Sequence, residues 1–315
     1  MNDALRLLAK TLRKFGYDIK KHYQYNLLPI SNLESFNSVS TLYNSVNKNT
    51  VDDKSDLTTL FICLRTCLKN NPDKTRSPEI TGSGHNELVF RCIMSLINSI
   101  NHAIENNREI NFNLVVFDDH SDDEYKKTID KICEKSKSNL EIKSTREKGQ
   151  GNSLYEQFEF ARNRNGLFYF CEDDYLHEES AISEMLRFYK QVYEKCNTHL
   201  LIHPQEHEFL FTRYVYPSYI LLGENRHWRT ISHATHTMFI HSVLVSKYWK
   251  YFENTRFVGD KKNRRLGVES RTTNYLFGHI PGFAPIPALA AHMQVKNSLP
   301  PFFDWRILWE KNRLE

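Results

Sequence analysis

The chain has 315 residues, 40% hydrophobic and 25% charged, a balance that suits one large globular domain with appendages and excludes a disordered or fibrous chain. A net charge of +4 is too small to mark a nucleic-acid binder. Six cysteines at 63, 67, 92, 133, 171 and 196 include no CxxC pair, which argues against a zinc knuckle and a disulfide framework and favours a reducing compartment.

The segment 4–22 places Leu5, Leu8, Leu12, Phe15 and Ile19 at helical spacing, with Lys10, Arg13, Lys14, Lys20 and Lys21 around them. Such a basic amphipathic helix suits peripheral contact with an anionic membrane surface, or packing on its own domain or a partner subunit. Residues 31–57 are rich in Ser, Asn, Thr and Asp and read as a linker. No secretory signal and no apolar run of spanning length is seen.

From residue 58 strands and helices alternate. Strands are expected at 58–66, 112–119, 140–144 and 167–172. Helices are expected at 86–105, with Asn86 as N-cap, and at 123–137, 152–163 and 178–196. This rhythm predicts an α/β fold, a Rossmann-like, mostly parallel sheet flanked by helices. Short β pieces are expected at 199–203, 209–222 and 235–240, then helices at 242–253 and 266–278. Trp305 and Trp309 mark a terminal helix pinned to the body. The implied division is 1–57, an N-terminal helix and linker; 58–200 and 201–298, two halves of one domain; and 299–315, a C-terminal helix.

Polar clusters fall where strands end: Arg65-Thr66, Asp118-Asp119, and Glu172-Asp173-Asp174. In an open α/β sheet, ligands bind beyond the carboxyl ends of the strands. One acid there reads as a helix cap or turn, but three clusters at successive ends suggest one crevice. Adjacent carboxylates suit a hard dication, Mn²⁺ or Mg²⁺, that also binds substrate phosphates.

These pieces resemble, in order and spacing, the family-two glycosyltransferases with the GT-A nucleotide-sugar-binding fold. The likeness rests on 59-TLFICLRT-66, 87-ELVFRCIMSLINSI-100, 115-VVFDDHSDD-123 and the run from Lys148 to Leu176. It covers residues 58–195 well, is thinner over 230–295, and is absent from the first 57 residues. It implies a nucleotide-diphosphate sugar donor, a glycan or glycolipid acceptor, and cytoplasmic placement. It implies that Asp119 meets the nucleotide base with Arg65 and Thr66 nearby. Asp173 would hold ribose and Asp174 the metal, with Glu172 beside it, while Arg146 and Asn152 lie along the nucleotide. Gly149 and Gly151 would permit close backbone approach. His292 sits where some related enzymes complete the metal shell, and His236 lies on the acceptor side. Inverting transfer needs a base, and Glu269 in 266-LGVESRTTNYLF-277 occupies the place for it; an acid favoured by a helix start is the competing reading.

The chain departs from the family pattern at His120, usually Gly, at Glu172, often Asp, and at Arg65, which stands where proline is usual. The basic run 261-KKNRR-265 reads as a solvated face, or as a contact for diphosphate or an anionic acceptor. Two rival functions remain: a sugar-nucleotide-forming nucleotidyltransferase, and a non-catalytic glycan- or nucleotide-binding domain.

Overall fold

The computed structural model describes residues 55–70, 80–206, 218 and 220–314, together with residues 8, 11, 12, 14 and 15. Most of the expected N-terminal helix and of the 31–57 linker, and residues 209–217 and 219 of the β piece expected at 209–222, lie outside the described residues. Among the described residues no helix is long and apolar enough to cross a membrane.

Four parallel strands form the first half of the sheet: β1 (Thr59–Thr66), β2 (Asn111–Asp118), β3 (Asn139–Ser144) and β4 (Leu167–Glu172). Their order is β3-β2-β1-β4, with Thr66 opposite Asp118 and Arg65 opposite Glu172. The strand ends are thereby level, and the polar clusters that close them become neighbours. β1 and β4 are near-continuous apolar runs because both faces of the sheet are covered. Leu60, Ile62 and Leu64 point into one core with α1 (His85–Asn106). Cys63 points into the other, with Phe158 and Phe160 of α3 (Gln150–Arg162). Between these two helices in the chain lies α2 (Asp123–Cys133).

The helix α1 starts at His85 with Gly84 as N-cap, so Asn86 lies inside it and is not the cap. A short strand not expected from the sequence, β5 (Tyr175–His177), precedes α4 (Ala181–Cys196). Beyond β4 the sheet continues through strands from the second half of the chain. They are β6 (Leu201–Ile202), β7 (Ile220–Leu222), β8 (His227–Thr230), β9 (Met238–His241) and β10 (Gly282–Ile286). Their order is β9-β6-β10-β8-β7, and β8 and β9 run against the rest, so the sheet is mostly parallel. β11 (Ala290–His292) leaves it to pair antiparallel with β5.

The helix expected at 242–253 is broken at Tyr248 into α5 (Ser242–Lys247) and α6 (Trp249–Glu253). The one expected at 266–278 is instead α7 (Arg264–Gly267) followed by tight 3₁₀ turns at Glu269–Arg271 and Thr273–Gly278. Its apolar residues, Leu276 and Phe277, anchor single turns into the second core and do not form one continuous face. α8 (Trp305–Lys311) closes the chain. Trp309 is buried, with the Arg91 guanidinium 4.3 Å above its ring and Arg91 Nη1 donating to its carbonyl at 2.7 Å.

Three histidines are built in as neutral rings. Burial pushes His177 down to about 3, His199 to about 3 and His241 to about 4. His199 and His241 stack at 4.5 Å, and Val243 N–H donates to His241 Nδ1 at 3.1 Å. In an unfolded chain the same rings take a proton near the ordinary 6.5. The unfolded state therefore binds more protons below that pH. Their stabilising contribution is complete above about 6.5 and is lost progressively as pH falls towards their folded values. Denaturant unfolding at pH 7 and at about pH 5 should show a loss of up to about 2 kcal/mol for each ring at the lower pH. Burial raises Glu206 to about 7, which acts in the opposite sense over this range, so the comparison is made against a His199→Gln/His241→Gln variant; an equal change of stability with pH in both proteins would mean that the two rings are charged in the native state.

Candidate active site

Each of the three acids at the end of β4 has a different partner. Glu172 pairs with Arg65, whose Nη2 donates to Oε1 at 2.6 Å, both side chains being largely buried. Burial opposes the charge on Arg65, but the carboxylates of Glu172, Asp173 and Asp174 outweigh it and hold the guanidinium above its ordinary value. Asp173 is buried and its Oδ2 accepts from the Cys67 N–H at 2.9 Å. Asp174 is buried with its Oδ2 3.3 Å from His292 Nε2. One positive side chain, one backbone amide and one imidazole thus divide the charge of the triplet.

His292 reaches Asp174 because β11 pairs with β5. His292 is opposite Tyr175 in register, and Met293 N–H donates to the Asp174 carbonyl at 2.8 Å. The imidazole lies flat on the Tyr175 ring, centroids 4.5 Å apart and planes 7° from parallel. Gln205, buried, fixes the same strand by accepting from His292 N–H at 2.5 Å and donating to the Ser298 carbonyl at 2.9 Å. Tyr175 and Gln205 were not singled out from the sequence. The alternation in 175-YLH-177 directly after the acids was the only local sign of the strand that carries Tyr175, and nothing local marked Gln205.

Donor atoms of Glu172, Asp174 and His292 lie within 4.8 Å of one another. Two carboxylates and an imidazole form a set that Mn²⁺ or Mg²⁺ accepts, the imidazole favouring the former. Arg65 engages only Oε1 of Glu172 among the contacts seen, so the residues present fit such an ion.

At the end of β2 the two aspartates separate in role. Asp118 closes its own turn, accepting from Thr66 Oγ1 at 3.1 Å and from Ser121 N–H at 3.2 Å. Asp119 turns the other way and receives the Gly149 N–H at 3.0 Å. His120 follows at φ +56°, the left-handed conformation that glycine adopts without cost. The departure from glycine at this position has therefore changed the side chain and kept a glycine-like backbone. Gly149 itself sits at φ +113° with open space around its α-carbon. Gly151 meets the protein's own backbone: a β-carbon there would lie 2.6 Å from the Arg256 carbonyl oxygen.

Two of the expected nucleotide contacts, Arg146 and Asn152, share one polar cavity of about 280 Å³ with Tyr155, Glu156, Glu159 and Arg256. Arg146 Nη2 donates to Glu159 at 2.5 Å, and Asn152 Nδ2 to the Lys148 carbonyl at 2.9 Å.

Glu269 is half-exposed at the start of a 3₁₀ turn, its Oε1 3.8 Å from Nδ1 of the buried His236. Burial lowers the proton affinity of His236, while the carboxylates of Glu269 and Glu172 pull it back up and Arg65 opposes them. His236 therefore lies electrostatically between Glu269 and the acids of β4. That relation brings the candidate base and the candidate metal-ligating set into one neighbourhood.

A family model described as "Glycosyl transferase family 2" matches residues 85–252. No curated protein matches the chain. Solved structures similar to it include TarS of S. aureus, 12% identical with a TM-score of 0.43 over 72% of this chain and 36% of that one. The S. aureus TarS fragment 1–349 in complex with UDP-GlcNAc is 12% identical, TM-score 0.43, over 75% and 60% of the respective chains. A UDP-glucose pyrophosphorylase complexed with UDP-glucose is 12% identical, TM-score 0.44, over 80% and 97%. The chain thus spans little more than a third of TarS.

Arg65 is the counter-ion on which the packing of the acids rests. Replacing it with methionine, close in volume, leaves Glu172 buried without its cation. R65M should lower stability by about 3 kcal/mol, measured by denaturant unfolding. A double R65M/E172Q variant should recover much of that loss; no recovery would place the role of Arg65 elsewhere.

Proposed function

Because the chain belongs to the family 2 glycosyl transferases, we propose that it moves a sugar, with inversion, from a nucleotide-diphosphate sugar to a hydroxyl of a glycan acceptor. The observation that carries this reading is the cluster of Glu172, Asp174 and His292 at the carboxyl end of β4. A dication held there, when bound, offsets the charge that grows on the departing diphosphate.

The remaining work falls to the protein's own groups. Asp173, fixed by the Cys67 amide, faces the ribose. Asp119, held by Gly149, faces the nucleotide base. Glu269 takes the proton from the acceptor hydroxyl as that oxygen attacks the anomeric carbon, and the bond to the diphosphate breaks on the opposite face. A partly exposed carboxylate suits this role, since the acceptor must reach it from solvent. His236, behind it and buried, sets its orientation and field.

Two variants test the assignment. Asp174→Asn should fold normally but lose Mn²⁺-dependent transfer by a factor on the order of a hundred or more, read as nucleoside diphosphate release with a sugar acceptor present. Unchanged transfer would remove Asp174 from the metal site, and release of pyrophosphate from a nucleoside triphosphate plus sugar phosphate would identify a nucleotidyltransferase instead. Glu269→Gln should leave thermal stabilisation by the nucleotide sugar intact and reduce turnover by about a hundredfold to ten-thousandfold. Wild-type turnover would assign the base to another residue.

A further inference from the structure

The geometry points to an anionic glycan, one bearing carboxylate or phosphate groups along its length, as the acceptor. This inference rests on the reading of Glu269 as the base. A cavity of about 560 Å³ is lined by Lys261, Lys262, Arg264, Arg265 and Arg271, with Val268 among them. Val268 and Arg271 flank Glu269 in the chain, so the cavity opens beside the carboxylate that would receive the acceptor's proton. Between residues 260 and 271 the chain carries five cations against two carboxylates, Asp260 and Glu269, and Asp260 is turned onto the Lys262 and Asn263 amides. Among the described residues none of the five forms an ion pair, whereas Arg65, Arg146, Arg187 and Arg226 all do.

Unpaired cations spread over a convex surface are ordinary. Here they line a concavity, where a low-dielectric wall focuses their field on whatever enters. Three are arginines, whose planar forks match carboxylate and phosphate oxygens in pairs. The concavity is also built into the fold. The turn Asn254–Phe257 is gripped on both sides by glycines. A β-carbon at Gly151 would meet the Arg256 carbonyl at 2.6 Å, and one at Gly267 would lie 2.4 Å from the Phe257 carbonyl carbon and the Val258 nitrogen. The turn at the base of the basic segment is thereby keyed to the amino end of α3. The donor's diphosphate has its own place at Glu172, Asp174 and His292, none of which lines this cavity. A neutral acceptor would leave these five cations to water and counter-ions, whereas an anionic one would engage them directly.

The test uses the full chain and a triple variant, R264Q/R265Q/R271Q, altering exposed side chains only. Fluorescent oligogalacturonate should bind the wild type, weaken as salt rises, and bind the triple variant about tenfold or more weakly. A neutral maltooligosaccharide of equal length should bind the wild type no better than it binds the variant. Thermal stabilisation by the nucleotide sugar should be equal in both proteins, which separates this cavity from the donor site. Equal affinity of wild type and variant for the oligouronate would overturn the inference. So would equal affinity of the wild type for charged and neutral oligosaccharides, or tighter capture by phosphatidylglycerol vesicles than by the oligouronate. Glu269→Gln should keep oligouronate binding. If it also transferred at the wild-type rate, the base assignment would fall while the binding result still decided the charge of the ligand.

Discussion

Three carboxylates at the end of one buried strand impose a single constraint on this protein: each must find its own source of positive potential. Crowded like charges raise one another's energy, and the apolar core behind them denies them water. The fold answers with three different groups drawn from three places. Arg65 comes from the neighbouring strand in register, the Cys67 amide from the turn that follows that strand, and His292 from a strand far along the chain. Parallel pairing of β1 with β4 is what makes the first two possible, since it brings equivalent ends to one level. The third depends on the small β5–β11 ribbon.

This division of partners also sorts the acids by use. Glu172 is committed in part to a guanidinium, so in the proposed metal site it would be a shared ligand. Asp174, next to an imidazole and seated on the ribbon, is the acid best placed to hold the ion. Asp173 is pinned by a backbone donor that cannot move without moving the turn. The family signature is therefore an electrostatic arrangement as much as a run of letters. His120 shows the same principle in the backbone: glycine is absent, yet the left-handed turn that glycine would supply is kept.

Much of this was legible in the chain itself. Strands β1, β2 and β4 are apolar runs of the length a covered parallel sheet needs, and acids mark where β2 and β4 end. What lay beyond reading were relations between distant segments. Arg65 reads from the sequence as a residue near the nucleotide base; its pairing with Glu172 follows from register, and nothing in the sequence says that position 65 stands opposite 172. Gln205 and Tyr175 support His292 through contacts that no local pattern encodes. The segment 266–278 carries apolar residues at spacings that suit a helix. Three short turns satisfy the same anchoring, with Gly267 wedged against Phe257 and Val258. Periodicity reports which residues are buried, and here burial was met by a different backbone path.

The ribbon that carries His292 has a consequence for how the protein comes into being. Asp174 and its imidazole neighbour are separated by more than a hundred residues of chain. During synthesis the acids of β4 leave the ribosome long before the strand that completes their set. The arrangement of Glu172, Asp174 and His292 is thus among the last features to assemble, and a nascent chain that lacks β11 cannot present it. If the proposed dication is bound there, its uptake would report that β4 and the β5–β11 ribbon have both formed.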